Sequence, residues 1–458
     1  MDGGDPVKKH IPTSIMKLIN VLVVMVPFVV CWFAYYEPRT MTVHSKQSTI
    51  LMLLLYGVAF YGVSVRLDGF KVAVNRIGEL IFSQVVAIGV TDVLAALVIW
   101  MMSIHFPNLL PGLICFAVQA PVIAAFALFF HRYFFATHPP RKTIIVYDVR
   151  QGMEELVSAY GLEKRFEIVG TYAVEEIMGA LEKLDDMEDV FLCGIHTHDR
   201  NIILKYCVEH AIRVFLIPRT GDMVMSAAER MHMFHLPFLR VKRYDPPHEF
   251  LFVKRAFDIC VSGLALILLS PLMGIVALAV KSDGGPALYK QVRLTKNGRE
   301  FKILKFRSMR VDAEKYSGAV MSAGENDPRI TRVGRVIRAC RLDELPQLWN
   351  IFIGDMSIVG PRPERPELAA KFEEEFPEFH LRLQCKAGLT GYAQVYGKYN
   401  TTPYDKTLMD LMYIAHPSIL EDLMIVLATV KILFSKDSTE GVGASEVELR
   451  YEERDKQQ

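Results

Sequence analysis

The sequence predicts a multi-domain membrane protein: a four-helix transmembrane bundle, a Rossmann-like α/β middle domain, and a mainly α domain introduced by a re-entrant membrane helix hairpin. Three observations carry that prediction. Four apolar segments near the N-terminus each approach the roughly 20 residues needed to cross a bilayer. Short β-branched runs alternate with amphipathic stretches between Thr143 and Ile217. A fifth apolar run, Ala256–Val280, has Ser270-Pro271 in its interior and basic residues at both ends. Of the 458 residues 51% are hydrophobic, and the mean hydropathy is +0.23, above the usual range of a soluble domain. A formal net charge of +1 supplies no field that would draw nucleic acid. Seven scattered cysteines without a CxxC pair point to free thiols, neither a disulfide framework nor a zinc site.

The four spans run about Ile15–Tyr35, Ser48–Val65, Ile77–Met102 and Leu109–Phe135. No small-x-small cleavage site follows the first, so it reads as an anchor and not as a removable leader. Lys8, Lys9 and Lys17 precede the bundle, Arg66, Lys71 and Arg76 fill its second loop, and Arg132, Arg141 and Lys142 follow it. The opposite side carries Arg39 and Lys46. The positive-inside rule therefore places the N-terminus and everything after Arg141 in the cytoplasm. With Asp92 the main ionisable residue inside the spans, an anchor is favoured over a transport path.

In the middle segment, Thr143–Tyr147, Phe166–Gly170, Val190–Cys193 and Val214–Ile217 read as buried parallel strands. The stretches Gly152–Gly161, Val174–Leu184 and Arg200–Ala211 read as the helices between them. The first strand runs into Asp148-Val-Arg-Gln-Gly152, one glycine where a pyrophosphate cradle needs G-x-G-x-x-G. A regulatory or self-association domain, compatible with a homodimer, is the expectation. His196-Thr-His198-Asp199 reads as a solvated loop before a metal site.

The fifth apolar run is long enough to cross, but a crossing would strand the remaining charged chain on the far side. Proline removes a helical hydrogen bond at Ser270-Pro271. Lys254, Arg255 and Lys281 flank the run, so both ends can stay at the cytoplasmic surface. A bent, re-entrant helix is expected over a fifth full span.

Downstream, Lys305 and Arg307 lie two residues apart in an alternating stretch and share one face of a strand. Arg332, Arg335 and Arg338 form one ridge of a basic helix. That helix leads to Leu342-Asp343-Glu344, and Gly360-Pro-Arg362-Pro lies shortly beyond. Taken alone, the dyad suits a helix N-cap and dipole partner. Convergence with the arginines and the apolar hairpin favours chemistry instead. One carboxylate can attack, a second can hold a divalent cation, and arginine can grip phosphate.

These residues resemble a known family. Lys254 to about Lys436 is similar to the catalytic module of the bacterial sugar transferases, the monotopic polyprenyl-phosphate phosphoglycosyl transferases. The whole layout resembles their large subfamily, which initiates exopolysaccharide, capsule or O-antigen synthesis. The motifs that carry the likeness are the Ser270-Pro271 helix, Lys305-Phe-Arg-Ser-Met309, the Leu342-Asp-Glu344 dyad, the Gly-Pro-Arg-Pro loop, Gly388-Leu-Thr-Gly-Tyr-Ala-Gln394 and Leu420-Glu-Asp422-Leu.

The resemblance implies a two-step transfer. Asp343 attacks the β-phosphate of a UDP-sugar, expels UMP and carries a phosphosugar; undecaprenyl phosphate then takes it. It further implies Mg²⁺ held by Asp343 and Glu344. Lys305, Arg307, Arg338, Arg362, Lys398 and Asp422 are the expected phosphate or substrate contacts, and UDP-glucose or UDP-galactose the expected donors. The setting it implies is a multi-pass protein of the bacterial inner membrane with the catalytic domain in the cytoplasm. Two departures stand out: Tyr396-Gly397-Lys398 replaces a common Asn-Gly-Arg, and Cys340-Arg341 replaces small hydroxyl residues before the dyad. Lysine cannot reproduce a forked guanidinium contact.

The expected organisation is thus an anchor over 1–137, an α/β domain over 138–245, the re-entrant helix over 246–281, the catalytic domain over 282–436 and a flexible tail over 437–458. Ile419–Phe434 is amphipathic and suits either the membrane interface or a core. Two other functions are open: a metal-dependent membrane phosphohydrolase that uses the same carboxylates without a lipid acceptor, and a non-catalytic membrane scaffold of a polymer-export complex.

Overall fold

A computed structural model describes residues 13–41, 45–73, 75, 77–311, 329–397, 401–433 and 450–451. Lys8, Lys9, Arg76, Lys398 and nearly all of the expected tail lie outside the described residues. The chain divides into two compact units, Met1–Phe215 with Leu449–Gln458, and Leu216–Glu448.

The first unit opens with α1 (Thr13–Cys31), α2 (Lys46–Arg66), α3 (Ile77–Met101) and α4 (Leu110–Thr137). All four are long and apolar enough to cross a membrane, α1 when counted with its extension to Arg39. They pack around a shared core that includes Val24, Phe28, Trp32, Tyr56, Ile88 and Ile123. Phe28 stacks on Tyr56 with ring centroids 3.8 Å apart. Gln119 crosses this core, and its side-chain amide finds acceptors there, as burial of a donor requires. Gln119 donates to the Val24 carbonyl at 2.9 Å and to the Tyr56 hydroxyl at 2.7 Å.

Next come β1 (Arg141–Tyr147), β2 (Arg150–Gln151), α5 (Met153–Ala159), β3 (Phe166–Ala173), α6 (Val174–Met178), β4 (Asp189–Cys193), α7 (Thr197–Glu209) and β5 (Arg213–Leu216). The sheet order is β3-β1-β4-β5, with β1 parallel to both neighbours. Each strand expected from the β-branched runs is present. His196-Thr-His198-Asp199 opens α7 and is not a free loop; His196 stands 3.6 Å from Asp148. Among the described residues no group of three or more metal-ligating side chains comes together. Two residues of the expected flexible tail, Arg450 and Tyr451, form β12 antiparallel to β2.

The second unit begins with α8 (Thr220–Ser226) and a hairpin of β6 (Glu229–Met233) and β7 (Leu236–Arg240). Residues 216–245, assigned on sequence to the α/β domain, therefore cluster with the second unit instead. The hairpin turns on Phe234 (φ 52°) and His235 (φ 63°). Two consecutive positive φ angles are the signature of a primed turn, normally announced by Asn-Gly, and this sequence carries no such signal.

The chain continues through α9 (His248–Ser282), the antiparallel pair β8 (Leu288–Leu294) and β9 (Glu300–Phe306), α10 (Arg332–Ala339) and α11 (Gln347–Ile353). The unit closes with β10 (Ser357–Val359), α12 (Pro366–Glu375), β11 (Gly388–Thr390), α13 (Tyr392–Tyr396), α14 (Pro403–Ala415) and α15 (Ile419–Leu433). β10 and β11 pair in parallel beneath a core of Leu348, Ile351, Met356, Ile358, Tyr413 and Ile425.

The expected break at Ser270-Pro271 is absent as a break in secondary structure: α9 is one helix with Pro271 inside it. Proline cannot donate to the carbonyl four residues back, which is that of Ile267. Ser270 supplies the missing donor, its hydroxyl lying 2.8 Å from the Ile267 oxygen. Residues on both sides of the proline pack on the same unit. Ala265, Leu266 and Leu269 join the main core, while Met273, Val276 and Val280 meet Phe306 and Ile337. Ile267, Leu268, Ile275 and Leu278 remain exposed as an apolar outer face.

The basic residues at the start of α9 turn into the protein and away from solvent. Lys254 donates to Asp422 at 2.6 Å, to the Val359 carbonyl at 3.0 Å and to the Tyr413 hydroxyl at 3.1 Å. Arg255 caps α11 by donating to the Ile351 and Phe352 carbonyls, each at 2.8 Å. α15 buries Asp422 and Ile425, so that face is a core face.

Candidate active site

Strand β9 ends in Leu304-Lys305-Phe306, and its alternation sends Phe306 into the core while Lys305 reaches across to the segment after α10. Asn350 fixes the distance between the two. Buried on α11, it accepts the Leu304 amide at 3.0 Å and donates to the Lys302 carbonyl at 3.0 Å. The helix just past the dyad is thereby stitched to the strand that carries the lysine.

Between α10 and α11 the chain makes a short 3-10 turn, Leu342–Glu344. Successive side chains of such a turn diverge by about 120°, so neighbouring carboxylates face different surroundings. Glu344 accepts from Lys305 at 3.0 Å and lies 3.5 Å from Arg362, both contacts falling on Oε1. Asp343 makes no hydrogen bond or ion pair among the described residues. Neither residue caps a helix: the N-cap of α11 is Pro346, without a side-chain bond.

Charge is dictated by this geometry. Burial opposes ionisation of Glu344, but the Lys305 ammonium and the Arg362 guanidinium prevail and hold its carboxyl at about 2. Asp343 goes the other way. Burial and then the Glu344 charge push it above its ordinary range, while Lys305, Arg338 and Arg341 pull against them. Burial likewise lowers Lys305, against the attraction of Glu344. Arg341, two residues ahead of Asp343, has a left-handed backbone with φ 57° and ψ 18°. For a residue with a side chain this conformation costs roughly 1–2 kcal/mol, and it begins the turn that displays the dyad.

Arg362 is placed by glycines. A Cβ on Gly388 would stand 2.2 Å from the Gly360 nitrogen, and one on Gly391 would stand 2.1 Å from the Gly360 oxygen. Only bare backbone permits this approach, which lets the Gly360 amide bond the Thr390 carbonyl at 2.9 Å. Two further arginines brace the loop from behind. Arg382 pairs with buried Asp410 at 2.6 Å and donates to the Arg362 carbonyl at 3.0 Å. Arg293 donates to the Pro363 carbonyl at 3.2 Å. The Arg362 side chain, half-exposed, also donates to Gln394 at 3.2 Å. Lys305, Glu344, Arg362, Arg293, Gln347 and Leu389 line one small cleft.

The residues singled out from sequence thus separate into groups. Lys305, Asp343, Glu344 and Arg362 come together, with Arg338 near enough for its charge to bear on Asp343. Arg307 does not join them. It lies past the end of β9, buried, and its guanidinium donates to the carbonyls of Val280 and Pro286, both at 2.9 Å, which ties down the end of α9. Asp422 belongs to the Lys254–Tyr413 cluster, accepting the Tyr413 hydroxyl at 2.7 Å. Lys398 lies outside the described residues. Arg293, Asn350 and Arg382 escape sequence reasoning because each acts on backbone carbonyls or amides of segments distant in the chain. The sequence signal nearest to them is the glycine clustering at 388 and 391.

The stretch that carries this site is similar to known proteins. Residues 249–436 match the model of the bacterial sugar transferase family. The chain is 43% identical over 189 residues to the exopolysaccharide production protein PSS of Rhizobium leguminosarum bv. phaseoli, covering 39% of this chain and 94% of that protein. It is 40% identical over 191 residues to the UDP-glucose:undecaprenyl-phosphate glucose-1-phosphate transferase of Caulobacter vibrioides, covering 40% of this chain and 71% of that one. Similarity to the UDP-N-acetylgalactosamine-undecaprenyl-phosphate N-acetylgalactosaminephosphotransferase of Aeromonas hydrophila is 36% over 236 residues, 51% of this chain and 55% of that protein. Against the longer relatives the match therefore spans about half of their length. Because the likeness takes in nearly all of the rhizobial protein, and the family match over residues 249–436 contains Lys305, Asp343, Glu344 and Arg362, the chain belongs to the bacterial sugar transferase family.

Proposed function

We propose that this protein transfers a hexose-1-phosphate from a UDP-sugar to undecaprenyl phosphate, through a phosphosugar carried on Asp343, and so starts a surface polysaccharide. One observation carries the reading: Glu344 is neutralised by Lys305 and Arg362, while its neighbour Asp343 has no hydrogen-bonded cation among the described residues. A carboxylate free of an ion pair keeps a lone pair for attack, and the cations beside it suit the charge of a diphosphate.

In the first step an Asp343 oxygen bonds to the β-phosphorus as the bond from that phosphorus to the bridging oxygen breaks, and UMP leaves with the electron pair. In the second, a phosphate oxygen of the lipid attacks the same phosphorus and the Asp343 carboxylate is regenerated. Arg362 and Lys305 bind and orient phosphate oxygens in both steps; Arg338 favours the ionised form of Asp343.

The dyad fits a hard divalent cation of the Mg²⁺ type held by one or two carboxylates and substrate phosphate oxygens, but not an all-protein cage, since no third acidic ligand gathers there among the described residues. Both contacts to Glu344 fall on Oε1, so Oε2 and Asp343 are the donors such an ion would use. When bound it would neutralise charge between nucleophile and diphosphate.

The two flanks of α9 pack on one unit, and its outer face is apolar. Both facts support a re-entrant insertion with the catalytic unit at the cytoplasmic face of the inner membrane, in keeping with the basic residues around α1–α4. The names of the relatives include glucose, galactose and N-acetylgalactosamine donors. UDP-glucose and UDP-galactose are the first sugars to test.

The test is intact-mass analysis of the purified full chain with Mg²⁺ and each UDP-sugar, without lipid acceptor. A hexose-phosphate adduct on wild type and its absence from Asp343→Asn is the expected result. UMP release that requires undecaprenyl phosphate, with no adduct at any time, would replace the covalent route by direct displacement. Release of sugar phosphate to water would instead indicate a phosphohydrolase.

A further inference from the structure

Asp92 is the carboxylate that the proposed transfer leaves unused, and it lines a cavity of about 460 Å³ within the helical bundle. The cavity lies between α1, α3 and α4, and its walls are almost wholly apolar, including Phe28, Ala96, Leu109 and Phe116. Val93 and Leu113, on its rim, are exposed. The opening thus looks outward from helices long and apolar enough to cross a membrane, toward the place where lipid would lie. Its size is within the roughly 300–1,000 Å³ typical of small-molecule sites, which combine apolar walls with very few polar groups.

The polar group here is fixed and half satisfied. Asp92 Oδ1 accepts the Tyr56 hydroxyl at 2.7 Å. Tyr56 is itself held by Gln119 at 2.7 Å and by the stacked ring of Phe28. Asp92 Oδ2 is buried and meets no hydrogen-bond donor among the described residues. An acceptor left unpaired in apolar surroundings is costly, and an acidic residue inside a spanning segment marks a functional site by default.

Chemistry narrows the occupant. A phosphate head offers acceptors where Asp92 needs a donor, so the phosphate end of a carrier lipid does not fit. An ammonium would have to shed its hydration deep in the bundle, because Asp92 lies three residues past the midpoint of α3 (Ile77–Met101). A neutral hydroxyl costs far less to bury and supplies one donor. We propose that the cavity binds an apolar chain ending in a hydroxyl, a long-chain alcohol that donates to the Asp92 carboxylate while its chain fills the space between α1, α3 and α4.

The experiment uses the full chain in phosphatidylcholine nanodiscs and two photoreactive probes of equal length, a diazirine alcohol and the matching diazirine alkane. Crosslinked peptides are mapped by mass spectrometry. The alcohol is expected to label cavity-lining segments of α3 and α4 about tenfold more than the alkane, the worth of one buried hydrogen bond. Asp92→Leu, which removes the acceptor, and Ala96→Trp, which fills the space, should each lower alcohol labelling by a similar factor. Equal labelling of wild type by both probes, or labelling spread evenly over the outer faces of the bundle, would overturn the proposal. The comparison of probes on wild type needs no variant to fold.

Discussion

Lys305 places its ammonium 3.0 Å from Glu344 Oε1, although 39 residues separate the two in the chain. The contact distinguishes two adjacent carboxylates. Glu344 is paired with cations, while Asp343 makes no ion pair among the described residues.

Lys305→Met removes the nearer cation. Glu344 then keeps only Arg362, and its carboxyl moves up from about 2 toward its ordinary 4.5. A carboxyl depressed in the folded state contributes stability above its unfolded value and loses it as pH falls through the folded one. The share of stability that Glu344 contributes should therefore persist in wild type until the pH falls toward 2, whereas in the variant it is lost at a higher pH. Burial also lowers Lys305, so the net loss at neutral pH should be only about 2 kcal/mol. Thermal melting in detergent across the acid range measures it, and a melting profile identical to wild type would contradict the pairing.

Asp343→Asn should abolish the covalent adduct and cut transfer by at least about 10³-fold. It should also stabilise the folded protein. The Asp343 carboxyl is raised by burial and by Glu344, so its ionisation costs folding energy at neutral pH, and that cost vanishes once acid protonates it. The variant should melt higher than wild type at neutral pH, and the gap should close on acidification.

Arg341→Gly tests the left-handed turn. Glycine accepts φ 57° without strain, which should add about 1 kcal/mol of stability. The same change removes a positive charge that lowers Asp343. The acid limb of the rate profile should shift to higher pH even as the protein becomes more stable.

Ser270→Ala leaves the Ile267 carbonyl without the donor that compensates for proline. A loss of about 1 kcal/mol is expected. Replacing Pro271 by alanine in the same chain restores a backbone N–H for that carbonyl, so the double variant should recover what the single one loses. Chemical denaturation of the two variants in nanodiscs decides it.

Asp422→Asn should destabilise the second unit by about 3 kcal/mol, because Lys254 would lose its charged partner in a buried site. The adduct on Asp343 should still form. Loss of the adduct in a protein that melts normally would return Asp422 to the phosphate site.

How much of this was legible beforehand differs from one residue to the next. The apolar lengths of α1–α4 and the alternation from Thr143 to Ile217 fixed element types in advance, because burial in lipid or in a parallel sheet leaves a local periodicity. The dyad and Arg362 were legible because glycine, proline and paired acids carry chemical constraints that survive in a linear string. Arg307 was misplaced because strand alternation predicts a shared face with Lys305 but cannot reveal that β9 ends at Phe306 and that the Val280 carbonyl is waiting beyond it. Asp422 was expected at the phosphate because Leu420-Glu-Asp422-Leu matches a family motif; its partner, Lys254, is 168 residues away.

By itself the sequence determined the long apolar segments, the α/β order and the position of the paired carboxylates Asp343 and Glu344, since each rests on spacing within one short stretch. Only the tertiary structure decided which carboxylate is neutralised, that Asn350 and Arg382 set the positions of Lys305 and Arg362, and that Ser270 keeps α9 whole across its proline. The physical reason is the short range of hydrogen bonds and ion pairs. Such contacts depend on which distant segments fold to within about 3 Å of one another, and no local pattern encodes that distance.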